Sequence, residues 1–171
     1  GVIPVSSYTV LGGAGTYSDL QADGYRVGKL DQGAESFGSH GAFAGDFPVY
    51  GGDALYFTIN QNNQTAIIGL SYAETDLNWD TIDFAIYTRN DRIFNFRERG
   101  SAAIAPTSGT NALANGDEGR IQRNGTAIEY YINDVLRYTS STSVPEATPL
   151  YLDASFYTHY YTINNVRVSG Y

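Results

Sequence analysis

The chain has 171 residues, 42% of them hydrophobic, with 15 Tyr, 8 Phe, 19 Gly, no Cys and no Met, and a net charge of −8 from 18 acids and 10 bases. This length and apolar content exclude a disordered chain and allow one core without disulfide or metal staples. The acidic balance argues against a nucleic-acid partner, since it repels phosphates, and no apolar run reaches the length of a membrane-spanning segment. Rich in tyrosine and glycine and without Ala-, Leu- or Lys-rich helical runs, the composition is that of an all-β protein. A chain that lacks even an initial Met is expected to be processed, and removal of a signal sequence is one route to that; the expected location is extracellular or the cell surface.

In chain order, Val2 to Leu11 is an apolar, β-branched run interrupted by Pro4, suited to an edge or first strand. Gly12-Gly13-Ala14-Gly15 then breaks it. Residues 1–15 are therefore expected to be an N-terminal strand and spacer of a single domain spanning 1–171, with residues 2–11 free to pair at home or in a neighbouring copy. Tyr25 to Leu30 and Ala34 to Gly45 alternate as strands do. Asp53 to Asn60 and Thr65 to Tyr72 flank Gln61-Asn62-Asn63-Gln64, which predicts a hairpin, and Ile82 to Thr88 with Ile93 to Arg97 predicts another across residues 89–92. Ser101 to Gly116, rich in small polar residues, predicts a surface excursion.

The last third carries the firmest turn signals. Asn124-Gly125 as a two-residue turn pairs Ile121 with Ile128 and Arg120 with Glu129, and a second turn at Asn133-Asp134 places Tyr131 beside Leu136 and Glu129 beside Tyr138. One face then holds Ile121, Ile128, Ile132 and Val135 as core, and the other holds Arg120, Glu129, Tyr131 and Tyr138 as the lining of a groove. Twelve to fourteen short strands at roughly 8–12-residue spacing, with no amphipathic helix, predict a two-sheet antiparallel β-sandwich.

The segments Gly28 to Phe37, Ile68-Gly69-Leu70-Ser71, Ile82 to Tyr87, Gly116-Asp117 into Arg120-Ile121, Tyr130 to Asp134, Tyr138-Thr139-Ser140, Pro149-Leu150-Tyr151 and Ile163 to Arg167 together resemble landmarks of the concanavalin A-like (lectin/glucanase-type) jelly-roll superfamily. The resemblance covers most of the chain from Gly28 onward. It implies a sandwich with one concave face, in a superfamily whose members bind glycans, hydrolyse them, or bind peptides and assemble.

Retaining hydrolysis in such a fold needs two carboxylates about 5–5.5 Å apart, on one strand face. Glu74-Thr75-Asp76-Leu77-Asn78 has an amide where the second acid belongs, and Glu129 has Ala127 and Tyr131 two residues away on either side, so no catalytic residue is assigned. Sugar binding needs less: an aromatic surface for a pyranose ring and amides, carboxylates or Arg for its hydroxyls. Candidates are Arg120, Glu129, Tyr131 and Tyr138 on the groove face, with Trp79, Tyr157, His159 and Tyr160 as rims. Asp76-x-Asn78-x-Asp80, followed by Asp83, offers the alternating oxygens of a calcium loop, without the expected glycine or the closing Glu. Arg92, Arg97 and Arg99, interleaved with Phe94 and Phe96, form a basic patch that suits either an acidic glycan or a solvated strand face, with Glu98 inside it. The leading expectation is a non-catalytic carbohydrate-binding module for a polysaccharide. The alternatives are a filament or adhesin subunit assembling through its N-terminal strand, and a weak glycan hydrolase or lyase.

Overall fold

The computed structural model describes residues 1–12, 20–22, 26–29, 35–38, 40–73, 76, 78–158 and 160–170. Among these, the first seven strands are β1 (Val2–Pro4), β2 (Thr9–Gly12), β3 (Leu20–Ala22), β4 (Arg26–Lys29), β5 (His40–Phe43), β6 (Ala54–Ile59) and β7 (Ala66–Ser71). After a single 3₁₀ turn, Trp79–Thr81, come β8 (Phe84–Thr88), β9 (Phe94–Arg97), β10 (Glu118–Asn124), β11 (Ala127–Ile132), β12 (Val135–Thr139), β13 (Tyr151–Phe156) and β14 (Tyr161–Ser169).

They form two sheets with antiparallel pairing throughout. The eight-stranded sheet runs β12-β11-β10-β6-β14-β4-β3 with β1 added to β14, and the six-stranded sheet runs β2-β5-β13-β7-β8-β9. Alternation sends one set of side chains from each sheet into a shared core: Leu55, Phe57, Ile59, Ile121, Ile128 and Tyr130 from one, and Ile68, Leu70, Phe84, Ile86, Phe94 and Phe96 from the other. The all-β, two-sheet expectation holds.

Several finer expectations are corrected. Residues 53–60 and 65–72 do not form a hairpin, because β6 lies in the eight-stranded sheet and β7 in the six-stranded one. Every residue of β7 is buried, so it belongs at the centre of a sheet covered on both faces, between β13 and β8, and the connection carries the chain from one layer to the other. The N-terminal run is two strands. Val2 to Pro4 pair with β14, Thr9 to Gly12 pair with β5 in the opposite sheet, and the buried Val5 between them donates its N–H to Val166 O at 2.9 Å. Both pairings are made within the same chain.

The β10–β11 turn is Gly125-Thr126, with Asn124 paired to Ala127 and positive φ at Gly125 but not at Thr126, as type II′ requires. Moving the turn by one residue changes partners without changing faces: Ile121 now faces Tyr130, and Arg120 faces Tyr131 instead of Glu129. The Asn133-Asp134 turn is as expected, with φ of 50° and 64°. Beyond it the register shifts between Tyr130 and Tyr131, so that Leu136 faces Tyr131 while Tyr138, not Arg137, faces Tyr130. The extra residue turns Tyr138 to the core side, where it stacks on Phe96. Val135, expected in the core, is 56% exposed at the sheet edge.

The excursion from Ser101 to Gly116 covers the free edges of both sheets on one side. Phe96 and Ile104 exchange backbone hydrogen bonds at 2.9 and 2.7 Å, Phe94 N donates to Asn111 O, and Thr107 N donates to Arg137 O. Its backbone thus occupies groups on β9 and β12 that would otherwise recruit a foreign strand.

Candidate functional site

The outer face of the six-stranded sheet departs most from ordinary sheet chemistry. With Phe94 and Phe96 facing inward, Asn95 and Arg97 face outward, as do Ala85 and Tyr87 on β8 and Ile67 and Gly69 on β7. The registers align them in two adjacent rows, Ser155–Ile67–Tyr87–Asn95 and Asp153–Gly69–Ala85–Arg97. Ile67 and Ala85 form an apolar floor with Ile82, and Phe37, Trp79 and Tyr87 pack against it.

Trp79 is set in place by the 3₁₀ turn, which Asp76 holds: its Oδ1 accepts from Asn78 N at 2.8 Å and from Thr81 Oγ1 at 2.9 Å. Phe37 contacts both Trp79 and Tyr157, with ring centroids 6.4 and 5.1 Å apart. The Arg97 guanidinium lies over Trp79 at 4.7 Å and over Tyr87 at 5.0 Å, which fixes its plane by cation–π attraction. It donates one hydrogen bond, to Ser101 O at 2.8 Å, and meets no carboxylate among the described residues. Beside it, two residues earlier on the strand, Asn95 is 6% exposed; its amide has no hydrogen-bond partner among the described residues, and its polar atoms are open to solvent. The acids of this face are already engaged. Ser71 Oγ donates to Asp153 at 2.9 Å, and Asp83 accepts from Tyr72 N at 3.1 Å and from Arg99 at 2.8 Å.

Of the residues expected to line one groove, only some lie together. Arg120, Glu129 and Tyr131 are on the outer face of the opposite, eight-stranded sheet, in the row Leu136–Tyr131–Arg120–Tyr56–Arg167. Arg120 lies over Tyr131 at 4.0 Å and Tyr56 at 5.8 Å, and pairs with Asp134 at 2.5 Å; Arg167 lies over Tyr56 at 4.6 Å and pairs with Glu118 at 2.6 Å. Burial, the largest single effect, pulls the Arg120 pKa down, but the hydrogen bond and charge of Asp134 together with Tyr56 and Tyr131 outweigh it and leave it raised. Burial, then the Glu129 carboxylate that its hydroxyl donates to, pushes the Tyr131 pKa up. Tyr138 is absent from this face, because the β12 bulge turns it inward. Trp79 and Tyr157 sit on the other side of the sandwich, so they cannot rim a groove floored by Tyr131. Tyr160 is exposed at the turn before β14, and His159 lies outside the described residues.

Asn95, Tyr87 and Phe37 were not singled out in the sequence, although the alternation Phe94-Asn95-Phe96-Arg97 carried the signal for Asn95 and Arg97. Asp76, Asn78 and Asp80 surround the 3₁₀ turn. Asp83 itself lies just before β8, and among the described residues no three or more His, Cys, Asp or Glu side chains gather where a metal ion could be held.

Two sheets of this order, packed through one core, define a concanavalin A-like jelly-roll β-sandwich. The carbohydrate recognition domain of Emp46p superposes with a TM-score of 0.64 at 9% identity, covering 96% of this chain and 88% of that one. The carbohydrate-binding module CBM66 from Bacillus subtilis gives 0.51 at 12%, covering 99% and 96%. The Crh5 transglycosylase in its apo form gives 0.56 at 13%, covering 98% and 82%. These likenesses are of fold. No protein-family model matches the sequence, and neither does any curated protein.

Proposed function

We propose that this protein is a carbohydrate-binding module, working outside the cell or at its surface, that holds a glycan on the outer face of the six-stranded sheet without turning it over. Asn95 carries the reading. Its amide forms no hydrogen bond among the described residues and is open to solvent, and its position beside an apolar floor and an aromatic wall is where a sugar hydroxyl would meet both its donor and its acceptor. Trp79, Tyr87 and Phe37 supply the apolar surface for a pyranose ring. The domains named above for carbohydrate recognition and carbohydrate binding share the fold, which supports the reading. Binding is favoured over turnover because Asp83 and Asp153, the acids of this face, are held by Arg99 and Ser71 and do not stand as a free pair beside Asn95.

The test is affinity electrophoresis through gels containing neutral and acidic polysaccharides. At least one should retard the protein, and Trp79→Ala should weaken that interaction roughly thirtyfold, the loss of about 2 kcal/mol typical of a central aromatic anchor. Tyr131→Ala should leave it unchanged. Failure of every polysaccharide to retard the protein would overturn the proposal, and sensitivity to Tyr131→Ala in place of Trp79→Ala would move the site to the other face.

A further inference from the structure

Resting on that reading, we infer that the glycan bound here carries carboxylate groups, and that Arg97 and Asn95 recognise the carboxylate of a uronic acid. The charge distribution is the first observation. The chain as a whole is at −8 with 10 basic residues, yet four of those ten, Arg89, Arg92, Arg97 and Arg99, fall within eleven consecutive residues at the β8–β9 end of this sheet. Two of the four are neutralised: Arg89 pairs with Asp91 at 3.0 Å and Arg99 with Asp83 at 2.8 Å. Arg92 is exposed at the turn. Arg97 is the one that faces the floor of the candidate site.

The second observation is how Arg97 is held. A guanidinium has five N–H donors, and this one spends a single hydrogen bond, on a backbone carbonyl, while two rings fix its plane. Other arginines stacked on rings in this molecule are closed off: Arg120 and Arg167 by carboxylates, and Arg137 by the carbonyls of Ser108 and Thr110. A guanidinium held flat with donors to spare is matched by a planar anion that accepts two parallel hydrogen bonds, which is what a carboxylate does.

The third observation is Asn95. Asn95 and Arg97 point the same way from one strand, about 7 Å apart by strand rise, so the unpartnered amide lies within one sugar ring of the guanidinium. A carboxylate on Arg97 leaves ring hydroxyls of the same residue to Asn95. The protein's overall negative charge slows such a ligand's approach but does not cancel the contact, because screening at physiological salt acts over about 8 Å.

Trp79 is the chain's one tryptophan and lies on the guanidinium, so its emission reports occupancy of Arg97. The full chain is titrated with short oligomers of galacturonate, glucuronate and mannuronate, and with the same oligomers after methyl esterification, which removes the charge and leaves the ring. At least one acidic oligomer should give a saturable change, with its ester bound at least about tenfold more weakly. Arg97→Gln should erase the difference between acid and ester, and Arg97→Lys, which keeps the charge but not the planar fork, should retain only part of it. The acid–ester comparison uses the unaltered protein, so it stands even if a variant folds poorly. Equal binding of acid and ester, or no saturable change with any acidic oligomer, overturns the inference. If a neutral polysaccharide still retards the protein in the gel, the carbohydrate reading survives that result, whereas failure in both experiments removes both.

Discussion

Arg97 and Arg120 occupy nearly the same environment on opposite faces of the sandwich. Each stands in an outward row, Arg97 on the edge strand β9 and Arg120 on the inner strand β10, and each lies over two aromatic rings: Trp79 and Tyr87 for one, Tyr131 and Tyr56 for the other. Each even has a buried Nε–H with no acceptor, so that atom does not tell them apart. The carboxylate does. Arg120 has Asp134, and its neighbour in the row, Arg167, has Glu118, so the eight-stranded face is a ladder whose charges close on one another. Among the described residues Arg97 has no acid, and it sits beside an amide with no partner. A face whose charges close on one another needs no ligand to explain it, whereas a guanidinium without a carboxylate, beside an amide open to solvent, is placed to receive one.

A third arginine sets the scale for what closing off a guanidinium is worth. Arg123, on β10 but facing inward, is fully buried and donates to the carbonyls of Val49, Thr148 and Pro145, tying residues 145–150 to the loop before β6. Burial lowers its pKa, and no carboxylate bonds to it. Arg123→Met would strand three buried acceptors and is expected to cost about 3 kcal/mol or more, a fall of roughly 6–12 °C in Tm for a domain of this size. Arg97→Gln, with one carbonyl at stake, should cost no more than about 1 kcal/mol. Thermal melts of the two variants check this ordering, and near-equal losses would mean that Arg97 is as structural as Arg123.

Asn95→Leu is expected to separate binding from stability. The amide has no partner among the described residues and reaches solvent, so replacing it should change stability by no more than about 0.5 kcal/mol, or roughly 1–2 °C in Tm. Glycan retardation should fall in the same variant. A loss of more than about 1 kcal/mol would show that the amide is hydrogen-bonded in the folded protein and would take away the observation on which the site rests.

Much of the architecture was legible because it depends on period. Alternation in Asp53–Asn60, Ile82–Thr88 and Gly119–Ile132 fixed which residues face the core, and a one-residue displacement of the Asn124-Gly125 turn changed pairs without changing faces. What was not legible depended on a single extra residue or on which sheet a strand joins. The bulge in β12 leaves no mark in composition, yet it reverses Tyr138 and takes it out of the expected groove. Nothing in Gln61-Asn62-Asn63-Gln64 distinguishes a hairpin from a crossing between layers; the buried second face of β7 decides it, and that depends on partners far away in sequence. The same limit split the site. Trp79 and Tyr131 were both expected around one groove, but they stand on opposite faces of the sandwich. Arg97 was noticed as a cation without its lack of an acid being visible, because its neighbour Arg99 takes Asp83 across the fold.

The smallest expected effect is the one that separates the two faces most cleanly. In the Arg120–Asp134 pair the carboxylate side chain is 79% exposed, so solvent screens most of the attraction, and the pair is worth less than about 1 kcal/mol. Arg120→Ala should therefore lower stability slightly, and by less at high salt than at low salt, since what remains is largely Coulombic. Part of the loss should persist at any salt, because the side chain also covers Tyr131 and Tyr56. Glycan binding should be unaffected. Were Arg120→Ala to abolish retardation while Arg97→Gln did not, a ladder with every charge paired would have proved to be the binding surface, and carboxylate pairing would no longer distinguish scaffold from site in this molecule.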